Sequence, residues 1–233
     1  MAERNVRLAS HAAGVLPGAA LGATALVAGL LRRNKPLHPV GHHGAGWLRV
    51  TEPVPALGIE ALASAGDRPC QARWSRAIGL PSGWPDIEGM ALRLPGAGED
   101  DGVADLLLAS TGSHAWSRYL LTLRGPGHFG QVTTLLPVRA AGRSATFMLA
   151  PADEPDGELP PSAYTLHVAR GSGEWQRVGR IDVVWSEEDT TERFDPITHQ
   201  LAGTEQYPFV TALREPAYAA ARAVTSAGRR SHA

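Results

Sequence analysis

The sequence predicts a mainly β fold of the α+β kind, an antiparallel sandwich or barrel with helices at its two ends. Three observations predict it. Short runs with two-residue alternation or β-branched residues recur from about residue 45 to 185. Turn-forming clusters separate them: Pro95-Gly96-Ala97-Gly98, Gly125-Pro126-Gly127, Pro151–Pro161 and Gly171-Ser172-Gly173. The 233 residues include 26 glycines and 18 prolines, which favour many turns and short elements over long helices.

The strands expected from these patterns are Gly46–Thr51, Met90–Leu94, Asp105–Ala109, Tyr164–Val168 and Gly179–Trp185. The stretch Phe209–Ala227 is alanine-rich, has few breakers after Pro216, and reads as a helix. At the other end, Ala12–Leu31 holds no charge across twenty residues, between Arg4, Arg7 and His11 on one side and Arg32-Arg33 on the other. Its length suits a membrane span, although it is mostly Ala and Gly with Pro17 inside. A packed or partner-facing arm, a membrane-associated helix and a signal peptide cut near Ala23-Thr24-Ala25 are three accounts of it. The expected division is a hydrophobic, helical arm over 1–34 and a single body over 35–233.

Hydrophobic residues make up 43% and charged residues 19%, enough apolar material for a core, so disorder, collagen and coiled coil are excluded for the whole chain. The formal net charge of −1 excludes a generic nucleic-acid binder. The single cysteine, Cys70, excludes an internal disulfide and a Cys-rich zinc site. A cytoplasmic protein, with membrane association through 12–31 as an alternative, is the expected setting.

Three constellations carry chemistry. Leu37–Gly46 places His38, His42 and His43 among glycines just before a strand. Imidazoles so placed suit a metal, or an acid/base role above a flat ligand that glycine lets the backbone approach; an exposed cluster in a loop is the plainer account. Arg73 and Ser75 lie two apart in a strand and share a face, with Trp74 opposite. An Arg directed into a barrel needs an anion, either Asp86 or an acidic ligand. Arg214 and Tyr218 are one helical turn apart, so the guanidinium favours tyrosinate, a ligand that holds ferric haem.

Taken in order, these pieces resemble the catalase family in a shortened form. His38, Gly41 and Gly46 fit its distal motif H-x-x-G-x-x-x-x-G. Arg73-Trp74-Ser75 is similar to its R-F-S, and Pro85-Asp86-Ile87-Glu88-Gly89-Met90-Ala91 to its R-D-x-R-G-F-A without either arginine. Asp105–Thr111 resembles D-L-V-G-N-N-T, Phe194-Asp195-Pro196 matches F-D-P, and Arg214 with Tyr218 matches the proximal R-x-x-x-Y. The stretch 112–193 carries no family motif.

The resemblance implies a catalase-like antiparallel β-barrel whose C-terminal helix carries the proximal Tyr, and a haem b (iron protoporphyrin IX) cofactor. It implies Tyr218 as iron ligand beside Arg214, and His38 as acid/base residue oriented by Ser75. Arg73, Lys35 and Arg222 become the partners of the haem propionates. Ala109 stands where the family has its distal Asn, so a peroxidase or a specialised-metabolism enzyme acting on hydrogen peroxide or an organic hydroperoxide is expected rather than an efficient catalase. The family's arm-exchanged tetramer is not expected of so short a chain; a homodimer is one expectation.

Two other readings remain. One is a non-catalytic haem or small-molecule binding barrel. The other is a metal-dependent hydrolase using His38, His42 and His43 with Asp86. Trp84, Trp116, Trp175 and Trp185 read as barrel or interface packing rather than redox relays, Cys70 as a buried small hydrophobe, and Glu187-Glu188-Asp189 as a solvated loop.

Overall fold

A computed structural model describes residues 41–77, 80, 83–155, 159–186, 194–208 and 210. They form ten strands: β1 (Gly41–Val50), β2 (Gly66–Arg76), β3 (Glu88–Leu94), β4 (Ala104–Ser110), β5 (Val132–Thr133), β6 (Val138–Ala140), β7 (Arg143–Pro151), β8 (Ala163–Arg170), β9 (Gln176–Trp185) and β10 (Thr204–Gln206). All pairings between them are antiparallel. Eight strands close a barrel in the order β1-β2-β3-β4-β5-β7-β8-β9, with β9 paired back onto β1. β6 continues from β7 beside β5, and β10 adds to β6. The β7–β8 and β9–β1 pairings leave one closed ring rather than two facing sheets, which decides between the two architectures left open by the strand pattern.

Alternation puts the core inside this ring. In β3, Met90, Leu92 and Leu94 are buried while Gly89, Ala91 and Arg93 are only partly so. Leu48, Val50, Leu106, Phe147, Leu149, Leu166 and Ile181 join them in one cluster. Each such side chain contributes about 1.5–3 kcal/mol on burial. Two short 3-10 turns after β1 bury Leu57, Ile59 and Leu62 against the same cluster. Where β1 meets β9 the backbones are too close for a side chain. A Cβ on Gly46 would sit 1.8 Å from the Asp182 carbonyl oxygen.

Several expectations change. β1 begins at Gly41, so His42 and His43 belong to a strand and not to a loop before one. Trp84 and Trp116 do not pack in the barrel: they are 62% and 66% exposed. Trp175 does, beneath the nearly buried Arg118 guanidinium at 4.3 Å from its ring. Cys70 is buried, as expected, and burial pushes its thiol up to about 12. The arm over 1–34, the C-terminal helix and Glu187–Asp189 lie outside the described residues. Among the described residues no helix is long and apolar enough to cross a membrane.

Candidate functional site

Register assigns each site side chain to a face. Gly41 lies across from Ser75, Ser75 from Gly89, Gly89 from Ala109, and Ala109 from Thr133. Residues directly opposite in a ladder project to one side. Trp74, Met90 and Leu108 are the inward residues beside this row, so Gly41, Ser75, Gly89 and Ala109 form a row on the outer wall. The next row on the same wall is His43, Arg73, Ala91 and Leu107. Five adjacent strands thus present a low surface with Arg73 and His43 along one border.

Arg73 therefore faces outward, contrary to the expectation of an inward arginine. Its guanidinium bends over Gly41, where a Cβ would lie 2.7 Å from Nη2. Any side chain at 41 would displace it. Ser75 is 5% exposed, and its Oγ lies 3.2 Å from where a Cβ on Gly89 would be. His43 keeps Nε2 buried without a hydrogen-bond partner among the described residues.

Asp86 is not the partner of Arg73. It pairs with Arg76 at 3.7 Å and accepts the backbone N–H groups of Leu80 and Ile87, closing the loop between β2 and β3. The inner side of the same barrel end is filled by a different group. Trp74 donates Nε1–H to Glu88 Oε1 at 3.3 Å and stacks at a tilt on His42 and Phe129, with ring centres 5.9 and 5.4 Å away. Arg124 pairs with the other carboxylate oxygen of Glu88. Burial pushes the Glu88 carboxyl above its ordinary value, opposed in part by Arg124, Trp74 and the Gly130 N–H.

His42 and His43 thus point to opposite sides of the barrel wall and cannot ligate one ion together. With Asp86 held by Arg76, the proposed hydrolase set of His38, His42, His43 and Asp86 is not assembled. Among the described residues no group of three His, Cys, Asp or Glu is placed to hold a metal.

Beside this wall, Asp105 of β4 is buried and binds three elements at once. It takes Arg93 through two hydrogen bonds, His199 Nδ1 at 2.8 Å and the Asp195 backbone N–H at 2.8 Å. Phe194 lies under the Arg93 guanidinium, 4.8 Å from ring centre to Cζ. The Phe194-Asp195-Pro196 block is therefore pinned to the outer wall one row beyond Ala91 and Leu107. Both blocks stand out in the sequence, but only the fold shows that one carboxylate joins them.

Of the residues singled out in the sequence, Arg73 and Ser75 are brought onto the outer wall together. Lys35, His38, Arg214, Tyr218 and Arg222 lie outside the described residues. His43 lies on the outer wall; the sequence signal for that place is its even spacing from Gly41 and from Ala45 on one strand face.

No protein-family model matches the chain. A search of curated proteins finds elloramycin glycosyltransferase ElmGT of Streptomyces olivaceus, 36% identical over 139 residues, covering 55% of this chain and 36% of that protein. Among solved structures, a fungal catalase superposes with a TM-score of 0.55 at 11% identity, over 75% of this chain and 56% of that one. Catalase A of Saccharomyces cerevisiae gives 0.53 at 12% identity, over 80% and 61%. A bacterial catalase gives 0.50 at 14%, over 81% and 59%. The chain has a catalase-like fold. It spans roughly a third of the glycosyltransferase and less than two thirds of each of these catalases.

Proposed function

We propose that the chain is a haem-dependent oxidoreductase of catalase-like fold, acting on hydrogen peroxide or an organic hydroperoxide at haem b held by Tyr218. The observation that carries this is the outer wall itself, where Ser75, Gly89 and Ala109 make a low row that ends at Gly41, over which the Arg73 guanidinium lies. A flat macrocycle needs a wall without protruding side chains, and its carboxylates need a cation at the border. The described residues fit such a group on those two counts.

In this reading Tyr218 supplies the phenolate oxygen and Arg214, one helical turn before it, keeps that oxygen anionic. Arg73, Lys35 and Arg222 pair with propionates, Arg73 in the bidentate manner open to a guanidinium. Ser75 offers a hydroxyl to the barrel side, where a histidine moves the proton; the family resemblance gives that task to His38. Ferric haem, when bound, supplies the redox chemistry that breaks a peroxide bond. The Asp105 cluster holds the segment 194–199 that precedes Arg214 and Tyr218 in the chain.

The test is the visible absorption spectrum of the protein made with added haem precursor. A Soret band with ferric high-spin features is expected, and Tyr218→Phe should abolish it. A colourless protein that also refuses haemin would defeat the proposal. A non-catalytic haem or small-molecule binding barrel is a second reading, favoured by Ala109, which puts only a methyl group between Gly89 and Thr133 in that row. It predicts the same spectrum with no turnover of hydrogen peroxide or cumene hydroperoxide.

A further inference from the structure

We propose that residues 26–31 of this chain pack into an apolar groove on the outer wall of β1 and β9, as a strap laid back over the barrel. The proposal does not depend on the haem reading. The groove has a volume of about 940 Å³, and Ala45, Trp47, Pro69, Pro160 and Val184 are among the residues that line it. Register sets Ala45 opposite Val184 and Trp47 opposite Asp182, on the outward face of the two strands. A sheet face left to water carries polar residues at such positions. Here Trp47 is 54% and Val184 81% exposed. β1 is hydrogen-bonded to β2 on one side and to β9 on the other, so no further strand can add to it. Whatever covers this face must pack side chain against side chain.

Two observations name the occupant. The first is reach. The chain enters β1 at Gly41, and Ala45 and Trp47 follow roughly 13–20 Å further along the strand. The stretch from Leu31 to Gly41 spans at most about 33–36 Å, which is enough to bring 26–31 back over the groove. The second is pattern and charge. Residues 12–31 carry no charge, and Leu26, Val27, Leu30 and Leu31 have the spacing that gives a helix one apolar face. Arg32 and Arg33 follow directly. Among the groove residues Glu154 is exposed and has no ion pair among the described residues, so it is open to them. The other carboxylate there, Asp182, is already held by Arg180 at 2.7 Å. Small-molecule sites enclose about 70–90% of their ligand, whereas a groove that leaves Trp47 and Val184 so open suits a segment of chain laid across it.

The test combines Val184→Cys with Leu30→Cys in the full chain and treats it with a short bismaleimide. The native Cys70 is buried, with its thiol pushed up to about 12, and stays unreactive. Val184 is exposed, so its replacement leaves the barrel core intact. The expected product is monomeric, joins positions 30 and 184, and forms at a rate independent of protein concentration. Covalent dimers overturn the proposal and make a second copy the occupant; two modified thiols that do not join also overturn it. The single variant Val184→Cys gives an independent reading. Its labelling by a maleimide in buffer should speed up about tenfold when Leu26→Asp and Leu30→Asp are added, because a docked strap open about a tenth of the time shields the thiol by that factor. An equal rate overturns the proposal, as does shielding that arises only with anionic lipid vesicles, which would assign 26–31 to a membrane surface.

Discussion

Arg93 and Asp105 sit directly opposite each other on β3 and β4 and share two hydrogen bonds, Nε to Oδ1 at 2.7 Å and Nη2 to Oδ2 at 2.8 Å. The carboxylate side chain is fully buried and the guanidinium nearly so. Such a bidentate pair is tolerated inside because each charge finds its complement and the remaining lone pairs are used, here by His199 and the Asp195 N–H. It is a rivet between the barrel wall and the chain that follows the barrel.

Asp105→Asn leaves the Arg93 charge without its counterion and weakens three contacts together. The expected loss is about 3–5 kcal/mol in urea denaturation, the range for breaking one side of a buried pair. In the proposed function, haem retention should fall as well, because residues 194–199 are no longer pinned. A stability loss below about 1 kcal/mol would show that this cluster does not hold the segment.

Gly46→Ala tests the close approach of β1 and β9. The added carbon would meet the Asp182 carbonyl at 1.8 Å, and backbone cannot swing aside as a side chain can. Overpacking typically costs about 1–3 kcal/mol, so a loss at or above the top of that range is expected in a thermal melt. Wild-type stability in this variant would mean that the two strands separate freely there.

Glu88 governs a pH dependence. Burial raises its carboxyl above the ordinary value, so the folded state holds this proton more tightly than the unfolded chain. Where the folded protein binds more protons, stability falls as pH rises. The contribution is present below the ordinary carboxylate value and is lost as pH climbs through the raised one. Glu88→Gln keeps the shape of the protonated form and should flatten the decline that starts from about pH 4. An unchanged slope in urea titrations would remove Glu88 as its source.

Ala109→Asn puts a carboxamide into the Ser75–Gly89–Ala109 row, where this chain has only a methyl group. An amide there can hold a peroxide oxygen by hydrogen bonding, so oxygen release from hydrogen peroxide by the haem-loaded protein should rise severalfold. A flat response would show that the missing amide does not limit the reaction.

The strand set was legible because a strand that lines a barrel must alternate. Met90, Leu92 and Leu94 betray β3 by their spacing alone, and Cys70 could be placed inside from its type and its neighbourhood. The His-rich segment was misplaced because glycine and histidine have weak strand preference; pairing with β2 and β9 overrides it from Gly41 and Gly44 onward. Trp84 and Trp116 lie on the surface and not in the barrel, because size and aromaticity do not tell whether a neighbour in the same chain will cover them.

What the sequence by itself determined is the class of fold, the blocks that resemble catalases and the two residues of the strand pair, Arg73 and Ser75, that share a face. Alternation is a local rule, so it says that Arg73 and Ser75 lie together opposite Trp74. Which of those faces is the inside of the barrel depends on closure, a relation between strands far apart in the chain. Only the tertiary structure decided that Trp74 fills the interior while Arg73 and Ser75 stand on the outer wall, that Asp86 belongs to Arg76, and that His42 and His43 are separated by the wall itself. The physical reason is that the barrel interior accepts apolar volume and fully paired charge, and the pairing partners are chosen by register rather than by nearness in sequence.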